Sequence, residues 1–161
     1  MTVIDELLEN TTAYADGFEK GALPLPPAKR VAIVACMDAR LNPYGLLGLS
    51  EGDAHVIRNA GGVVTDDEIR SLAISQRLLA TEEIMLIHHT DCGMLTFRDD
   101  EFRRQVQHDT GIKPEWAAEP STTSTKMSVS RLRGSRRARS SRRRTTCAAS
   151  STRSRRAAYA R

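Results

Sequence analysis

The fold is decided by the stretch Val31-Ala32-Ile33-Val34-Ala35-Cys36-Met37-Asp38-Ala39-Arg40. Its unbroken apolar half is typical of a strand that is buried on both faces of a parallel sheet. Cys36, Asp38 and Arg40 then follow at alternate positions where that strand ends. Because ligand sites in open α/β sheets gather at the carboxyl ends of strands, these three side chains form a candidate site.

A second apolar stretch, residues 84–88, runs into His89 and Cys92 in the same way. Imidazole nitrogen and thiolate sulfur are ligands that zinc prefers, and three protein ligands with one open position are typical of catalytic zinc. Cys36, His89 and Cys92 therefore predict a zinc site. The chain has no C-x-x-C pair of the kind that structural zinc ribbons use. The H-x-x-C spacing selects His89 over His88, because neighbouring strand residues face opposite ways.

Asp38 and Arg40 predict how the open metal position is used. A bidentate salt bridge from Arg40 would hold the Asp38 carboxylate off the metal and let it orient water. If that pair breaks, Asp38 becomes the fourth ligand and blocks the chemistry, so the same residues can hold an active and a closed state. Two thiolates leave the zinc centre without net charge, so we expect its hydroxide form only at mildly alkaline pH.

Helical and strand patterns alternate along residues 2–109, which predicts βαβ units. We expect an α/β fold of three αβα layers around a mostly parallel sheet, with the first and third strands as neighbours because their ends share a metal. The predicted elements are a helix over 2–20, a strand over 30–35, a helical turn over 44–47, a strand over 54–58, a helix over 66–80, a strand over 84–88 and a helix over 99–109. Helical spacing assigns the core face of the 66–80 helix to Ile69, Leu72, Ala73, Gln76 and Leu79.

Charge divides the chain at residue 119. Residues 120–161 hold 13 of the 24 Lys and Arg and no acidic residue, which leaves 11 basic residues against all 20 acidic ones in residues 1–119. The first part therefore carries a net charge of −9 and the second +13. We expect residues 1–119 to form a zinc-binding domain.

The Arg/Ser/Thr-rich segment 120–161 has too few apolar side chains to fold alone, so we expect it to be disordered. Its composition is typical of a GC-rich gene translated out of frame. The alternative is a native basic arm that binds a polyanion.

The composition also indicates the cellular compartment. No apolar run reaches the roughly 18 residues that a membrane-spanning helix needs, and residues 1–10 lack the basic start of a signal peptide. Three cysteines, two of them in the predicted site, argue against a disulfide framework and for a reducing environment. We expect a cytoplasmic protein with no membrane partner.

Three motifs follow one another along the chain: Cys-x-Asp-x-Arg at residues 36–40, Arg-Asn-Ala-Gly at 58–61 and His-Thr-Asp-Cys-Gly at 89–93. In this order and spacing they resemble the β-class carbonic anhydrases, and most of all the short actinobacterial members. The resemblance extends through residues 3–116. It implies a lyase that reversibly hydrates carbon dioxide to bicarbonate, with zinc-bound hydroxide attacking the carbon.

The resemblance also implies the roles of individual residues. Cys36, His89 and Cys92 would bind Zn2+, and Asp38 and Arg40 would form the catalytic dyad. It further implies a homodimer or higher homo-oligomer, in which the chains exchange N-terminal helices and line the site together. Family members continue with a further helix and an edge strand where this chain has the arginine-rich segment, so the resemblance implies that the domain over residues 1–119 is incomplete at its C-terminal end.

Other functions stay open beside this one. A related zinc hydrolase acting on COS or CS2 would use the same hydroxide, and a catalytically impaired homologue would result from the incomplete C-terminal end. A nucleic-acid binder driven by the basic segment would lose affinity steeply with salt. The charge of −9 on residues 1–119 opposes that third class, so we expect a small-molecule substrate and no nucleic-acid partner.

Roles also stay open for residues around the predicted site. Arg58 is either a substrate-binding residue or part of a structural ion pair. Gly61 and Gly62 either cradle an anionic substrate or form a tight turn. Asp91 is predicted as a turn or hydrogen-bonding residue rather than a ligand.

Overall fold

The computed structural model describes residues 2–120 and the backbone of residues 128–133. None of the helices in this part of the chain is both long and apolar enough to cross a bilayer. The elements are α1 (Val3–Asp16), β1 (Val31–Cys36), α2 (Pro43–Leu47), β2 (Ala54–Asn59), α3 (Asp66–Leu78), β3 (Glu83–His88), α4 (Asp99–Thr110) and β4 (Ser128–Arg133). Every helix and strand predicted within residues 2–109 is present, with ends shifted by a few residues.

Three neighbouring strands of the sheet run in parallel. The strand order is β2-β1-β3-β4, and β1 pairs in parallel with β2 on one side and with β3 on the other. Val34 of β1 is level with Ile57 of β2 and Leu86 of β3. The carboxyl ends of β1 and β3 therefore lie at the same edge, which confirms the predicted mostly parallel sheet and the predicted neighbours.

A helix covers each face of the sheet. Ala32 and Val34 of β1 pack in one apolar cluster with Leu72 of α3. The alternate residues Ile33 and Ala35 pack in a second cluster with leucines of α2 and the loop that follows it. Because β1 is buried on both faces, the predicted three-layer α/β architecture is confirmed.

The buried face of α3 differs from the predicted one. Leu72 is buried as expected, but the side chain of Ile69 is 47% exposed and Ala73 is exposed. Glu68 and Ser75 are buried in their place. Gln76 and Leu79 are half-buried, so the buried face of this helix overlaps the predicted one but is turned away from Ile69 and Ala73.

Hydrogen bonds explain why α3 can bury polar side chains. Glu68 Oε2 accepts from the Thr65 amide at 3.2 Å and also from the Thr65 hydroxyl. The hydroxyl of Ser75 lies 2.7 Å from both Thr81 Oγ1 and His55 Nδ1. A buried polar group costs little free energy once it has such partners.

Helix α1 projects from the rest of the fold. Thr2 caps its N-terminus, and the reciprocal bond from the Thr2 amide to Asp5 Oδ2 is 2.6 Å long. None of its residues is buried. Just before β2, Glu51 accepts a 2.6 Å hydrogen bond from the Tyr14 hydroxyl and pairs with Lys20.

Strand β4 departs from the disorder predicted for residues 120–161. It pairs antiparallel with β3, Ser128 opposite His88 and Arg133 opposite Glu83. The outer edge of β3 offers backbone donors and acceptors to any segment that can extend beside it, whatever its side-chain pattern. The rest of the predicted tail, residues 121–127 and 134–161, lies outside the described residues.

Candidate metal centre

The three predicted metal ligands converge where β1 and β3 end. Cys36 is the last residue of β1, His89 directly follows β3, and Cys92 lies in the loop after it. Their three ligand atoms all lie within 4.8 Å of one another. The two sulfur atoms are 3.7 Å apart, close to the roughly 3.8 Å expected for two thiolates bound tetrahedrally at about 2.3 Å from one zinc ion.

Hydrogen bonding fixes the tautomer of His89. Its Nδ1 lies 2.9 Å from the carbonyl oxygen of Thr90, and a carbonyl can only accept, so Nδ1 carries the proton. The other nitrogen, Nε2, is buried and has no hydrogen-bond partner in the described part of the chain. A buried acceptor without a partner is costly. A cation between this nitrogen and the two sulfurs would remove that cost, so the residues present fit a zinc ion.

The two thiols differ in acidity. Burial raises the pKa of the Cys36 thiol, but nearby polar groups, of which the backbone of Asp38 contributes most, outweigh it, so the net shift is downward. Burial raises the pKa of the Cys92 thiol, and the neighbouring Cys36 raises it further. Cys36 is therefore the easier of the two to ionise, and a cation between the sulfurs would favour the thiolate form of both.

Arg40 forms a bidentate salt bridge with Asp38, which is the first of the two arrangements considered above. Its Nε donates to Asp38 Oδ1 at 3.0 Å and its Nη2 donates to Oδ2 at 2.8 Å. These bonds, together with the Arg40 amide, hold the pKa of the Asp38 carboxyl far below its usual range. The same carboxylate lies beside the ligand cluster, because Oδ2 is 3.8 Å from His89 Nε2. Asp38 is thus ionised and lies beside His89, but it is not among the ligand atoms that lie within 4.8 Å of one another.

Arg58 contacts the backbone of the first ligand segment. Its guanidinium donates to the carbonyl oxygen of Cys36 at 3.0 Å and to that of Asp38 at 2.6 Å. These bonds fix the path of the chain between the two residues. The structure therefore gives Arg58 a structural contact other than the ion pair considered above, and its role in substrate binding stays a prediction.

Gly61 and Gly62 form a tight turn beneath the site. Both are buried, with φ of 81° and 67°. A Cβ atom on Gly62 would lie 2.9 Å from the Cys36 amide nitrogen and 2.9 Å from the Ile87 carbonyl oxygen. The turn is therefore pressed against the ends of β1 and β3, while the anion cradle stays a prediction.

Two further side chains complete the site. His88 Nδ1 donates to the Gly61 carbonyl at 3.0 Å, so this histidine braces the turn. Asp91, predicted as a turn or hydrogen-bonding residue, accepts a hydrogen bond from Arg40. A left-handed φ of 55° at Asp91 fits the turn prediction, but no sequence spacing links this residue to Arg40.

Known proteins that are similar to this chain include carbonic anhydrases. A family model described as carbonic anhydrase matches residues 31–155. Over 119 residues the chain is 68% identical to Beta-carbonic anhydrase 1 of Mycobacterium tuberculosis, and the alignment covers 74% of this chain and 72% of that protein.

Two other proteins extend the comparison. The crystal structure of a carbonic anhydrase from Streptococcus mutans is similar with a TM-score of 0.70 and 48% identity, over 76% of this chain and 75% of that one. A carbon disulfide hydrolase of Saccharolobus solfataricus is 41% identical over 110 residues, which are 68% of this chain and 52% of that protein.

Proposed function

The chain belongs to the β-class carbonic anhydrases, and from this premise we propose that it hydrates carbon dioxide reversibly at a zinc ion. The reaction adds one water molecule to CO2 and yields bicarbonate and a proton. The observation that carries the proposal is the buried, unpartnered Nε2 of His89 facing two sulfur atoms. We propose that Cys36, His89 and Cys92 hold the metal.

A zinc ion held there would supply a Lewis acid that lowers the pKa of water and makes a nucleophile available. The protein residues supply orientation. The ionised Asp38 carboxylate can accept the hydrogen bond of a reacting O–H group near His89 Nε2, because Oδ2 lies within 3.8 Å of that nitrogen. Arg40 fixes the carboxylate by the two bonds described above. We propose that Asp38 acts as the catalytic acceptor only while Arg40 holds it off the metal.

Hydrolysis of CS2 is the second candidate function. It is favoured by the 41% identity to a carbon disulfide hydrolase, but that protein is matched over 52% of its length. Hydration of CO2 is favoured by the 68% identity to a β-carbonic anhydrase that is matched over 72% of its length. An assay of hydrogen sulfide release from CS2, run beside an assay of CO2 hydration, distinguishes the two.

We further propose a homo-oligomer, with a dimer as its smallest unit. The support is the apolar face of α1, on which Val3, Ile4, Leu7 and Leu8 are 72%, 63%, 53% and 58% exposed. An apolar helix face of this kind is normally buried against another element or another chain. We also propose a reducing, cytoplasmic location, since two free thiols lie close enough to bind metal together.

The proposed zinc site is tested by metal analysis and CO2 hydration on the same preparations. We expect about one zinc per chain in the wild type. Cys36→Ser and His89→Ala should lose metal and activity together. His108→Ala is the matched control, because this histidine is exposed on α4 and should keep both. A folded wild type that hydrates CO2 without zinc would contradict the site.

A further inference from the structure

The Arg40 side chain donates four hydrogen bonds, of which only two go to Asp38. Besides its two bonds to Asp38, its Nη1 donates to Asp91 Oδ2 at 2.8 Å and its Nη2 donates to the Asp91 carbonyl oxygen at 2.8 Å. Four of its five N–H groups are therefore engaged. The two aspartates bind adjacent edges of the same planar guanidinium, and Nη2 donates to both of them.

These bonds join two separate parts of the site. Arg40 follows the ligand Cys36 by four residues, whereas Asp91 lies between His89 and Cys92. The Arg40–Asp91 contact therefore links the loop after β1 to the loop after β3, across the ligand cluster.

Stability alone does not account for the contact. The side chains of Arg40 and Asp91 are 65% and 86% exposed. Ion pairs at such exposure add little to the free energy of folding, because solvent screens them and two long side chains lose freedom. The contact can instead fix the orientation of the Arg40 guanidinium, because an exposed arginine with a single partner samples several rotamers.

The orientation of the Arg40 guanidinium matters because it determines where the Asp38 carboxylate is held. Its side chain is only 15% exposed, and its Oδ2 lies 3.8 Å from His89 Nε2. A small rotation would bring this oxygen into the ligand cluster. Arg40 opposes that rotation only if the guanidinium itself is held in place.

We propose that Asp91 is a positioning residue, which fixes the guanidinium of Arg40 so that Asp38 stays outside the ligand cluster. Asp91 touches neither the ligand atoms nor the reacting groups in this role, and acts through Arg40. The metal-dependent part of the proposal rests on the proposed zinc site, whereas the effect on Arg40 does not.

The first test measures Arg40 in the metal-free full-length protein. Hydrogen exchange of the Arg40 Nε–H is followed by 15N NMR, and the signal is assigned by its loss in Arg40→Lys. Asp91→Gly removes the carboxylate and suits the left-handed backbone, while Asp91→Asn keeps an oxygen acceptor and also tolerates that conformation. We expect exchange to rise about three- to tenfold in Asp91→Gly, with Asp91→Asn in between.

Asp67→Gly is the matched control. Asp67 forms an ion pair with Arg70 on α3 at 2.7 Å, with both side chains about equally exposed. Removing this pair should leave the Arg40 signal unchanged. If Asp91→Gly also leaves Arg40 unchanged, the positioning role is excluded, and that result does not depend on zinc.

The second test follows the metal site with cobalt(II) as the probe. We expect the visible spectrum of the Co2+ protein to change in Asp91→Gly, and kcat/KM of the zinc protein to fall about three- to tenfold, because part of the enzyme is closed by Asp38. In an Asp38→Ala background, Asp91→Gly should have no further effect on the spectrum.

The outcomes separate this proposal from the proposed function. A wild type that binds neither zinc nor cobalt contradicts the metal site, and leaves the Arg40 exchange result to decide the positioning role. A spectral change that persists without Asp38 would mean that Asp91 acts by another route, and would overturn the proposal. A loss of thermal stability with no change in Arg40 exchange or in the spectrum would show a merely structural residue.

Discussion

At the scale of single residues, Asp38 separates metal binding from turnover. Its carboxylate is ionised and clamped beside His89 Nε2 without touching it. Asp38→Ala should therefore retain zinc but reduce kcat by about 10²-fold, the low end of what a positioned acid–base group contributes. Metal analysis and stopped-flow CO2 hydration on one preparation check this. Unchanged turnover in the zinc-loaded variant would exclude the dyad role.

A substitution at Gly62 tests the close packing of the glycine turn against the ends of β1 and β3. A Cβ here would lie 2.9 Å from backbone atoms of Cys36 and Ile87, at a φ of 67°. Gly62→Ala should lower the free energy of unfolding by about 2–4 kcal/mol, from overpacking and left-handed strain together. Denaturant unfolding of the metal-free protein measures the change.

Gly48→Ala is the matched control for that prediction. Gly48 has a similar φ of 62°, but no atom lies within 4 Å of its added Cβ. Only the backbone strain of about 1–2 kcal/mol should appear. Equal losses in the two variants would mean that contact with β1 and β3 contributes nothing.

The sequence predicted the ligand cluster but not its supports. Cys36, His89 and Cys92 could be found because parallel neighbouring strands bring their carboxyl ends together, and because zinc restricts the choice of ligand. Asp91 was expected to form a turn or a hydrogen bond, but its partner Arg40 could not be predicted, because this contact depends on the path of an irregular loop. Strand periodicity carries no information about such a path.

At the scale of elements, a buried carboxylate at the start of α3 predicts that the free energy of unfolding depends on pH. Glu68 is buried there, and although burial raises its pKa, hydrogen bonds from Thr65 and Asn59 lower it on balance. Because its pKa is lowered in the folded state, the ionised Glu68 stabilises the fold at pH values above its unfolded-state pKa of about 4.3. This stabilisation is lost as the pH falls below that value.

Glu68→Gln should therefore cost about 1 kcal/mol of unfolding free energy near pH 7, as the loss of a capping contact does, and much less below about pH 4. Urea unfolding of both proteins across this range measures the difference. Asp67→Asn is the control, because this exposed neighbour should change stability little at either pH. A difference in stability between the wild type and Glu68→Gln that stays constant with pH would contradict the charged contact.

Elements were predicted well wherever apolar side chains decide them. The run that forms β1 is buried as expected, whereas most residues of β3 are only half-buried. Helix α4 is capped by Gly111 with the left-handed φ of 77° that its glycine allows. The buried face of α3 was predicted only in part, because the hydrogen-bonded Glu68 and Ser75 are buried beside Leu72 where Ile69 and Ala73 were expected. Strand β4 was missed because backbone pairing with β3 forms it, and backbone pairing leaves no side-chain pattern to read.

At the scale of the whole molecule, α1 decides the predicted assembly. Leu7 lies on its exposed apolar face with Val3 and Leu8. Because none of α1 is buried within its own chain, a charge at Leu7 should leave the fold of one chain intact and act only on association. Leu7→Glu should raise the dimer dissociation constant about 100-fold, since it removes a buried leucine and desolvates a carboxylate. Sedimentation velocity over a range of concentrations measures this constant.

Ala13→Glu adds the same charge on the opposite face of α1 by helical spacing, so it should leave the dissociation constant within a few-fold of the wild type. The thermal unfolding of dilute, dissociated protein should be the same in both variants, because α1 buries no residue there. A wild type that sediments as a single chain at all concentrations would contradict the oligomer. A Leu7→Glu variant that associates as tightly as Ala13→Glu would mean that the chains meet through another surface and that the apolar face of α1 is not what joins them.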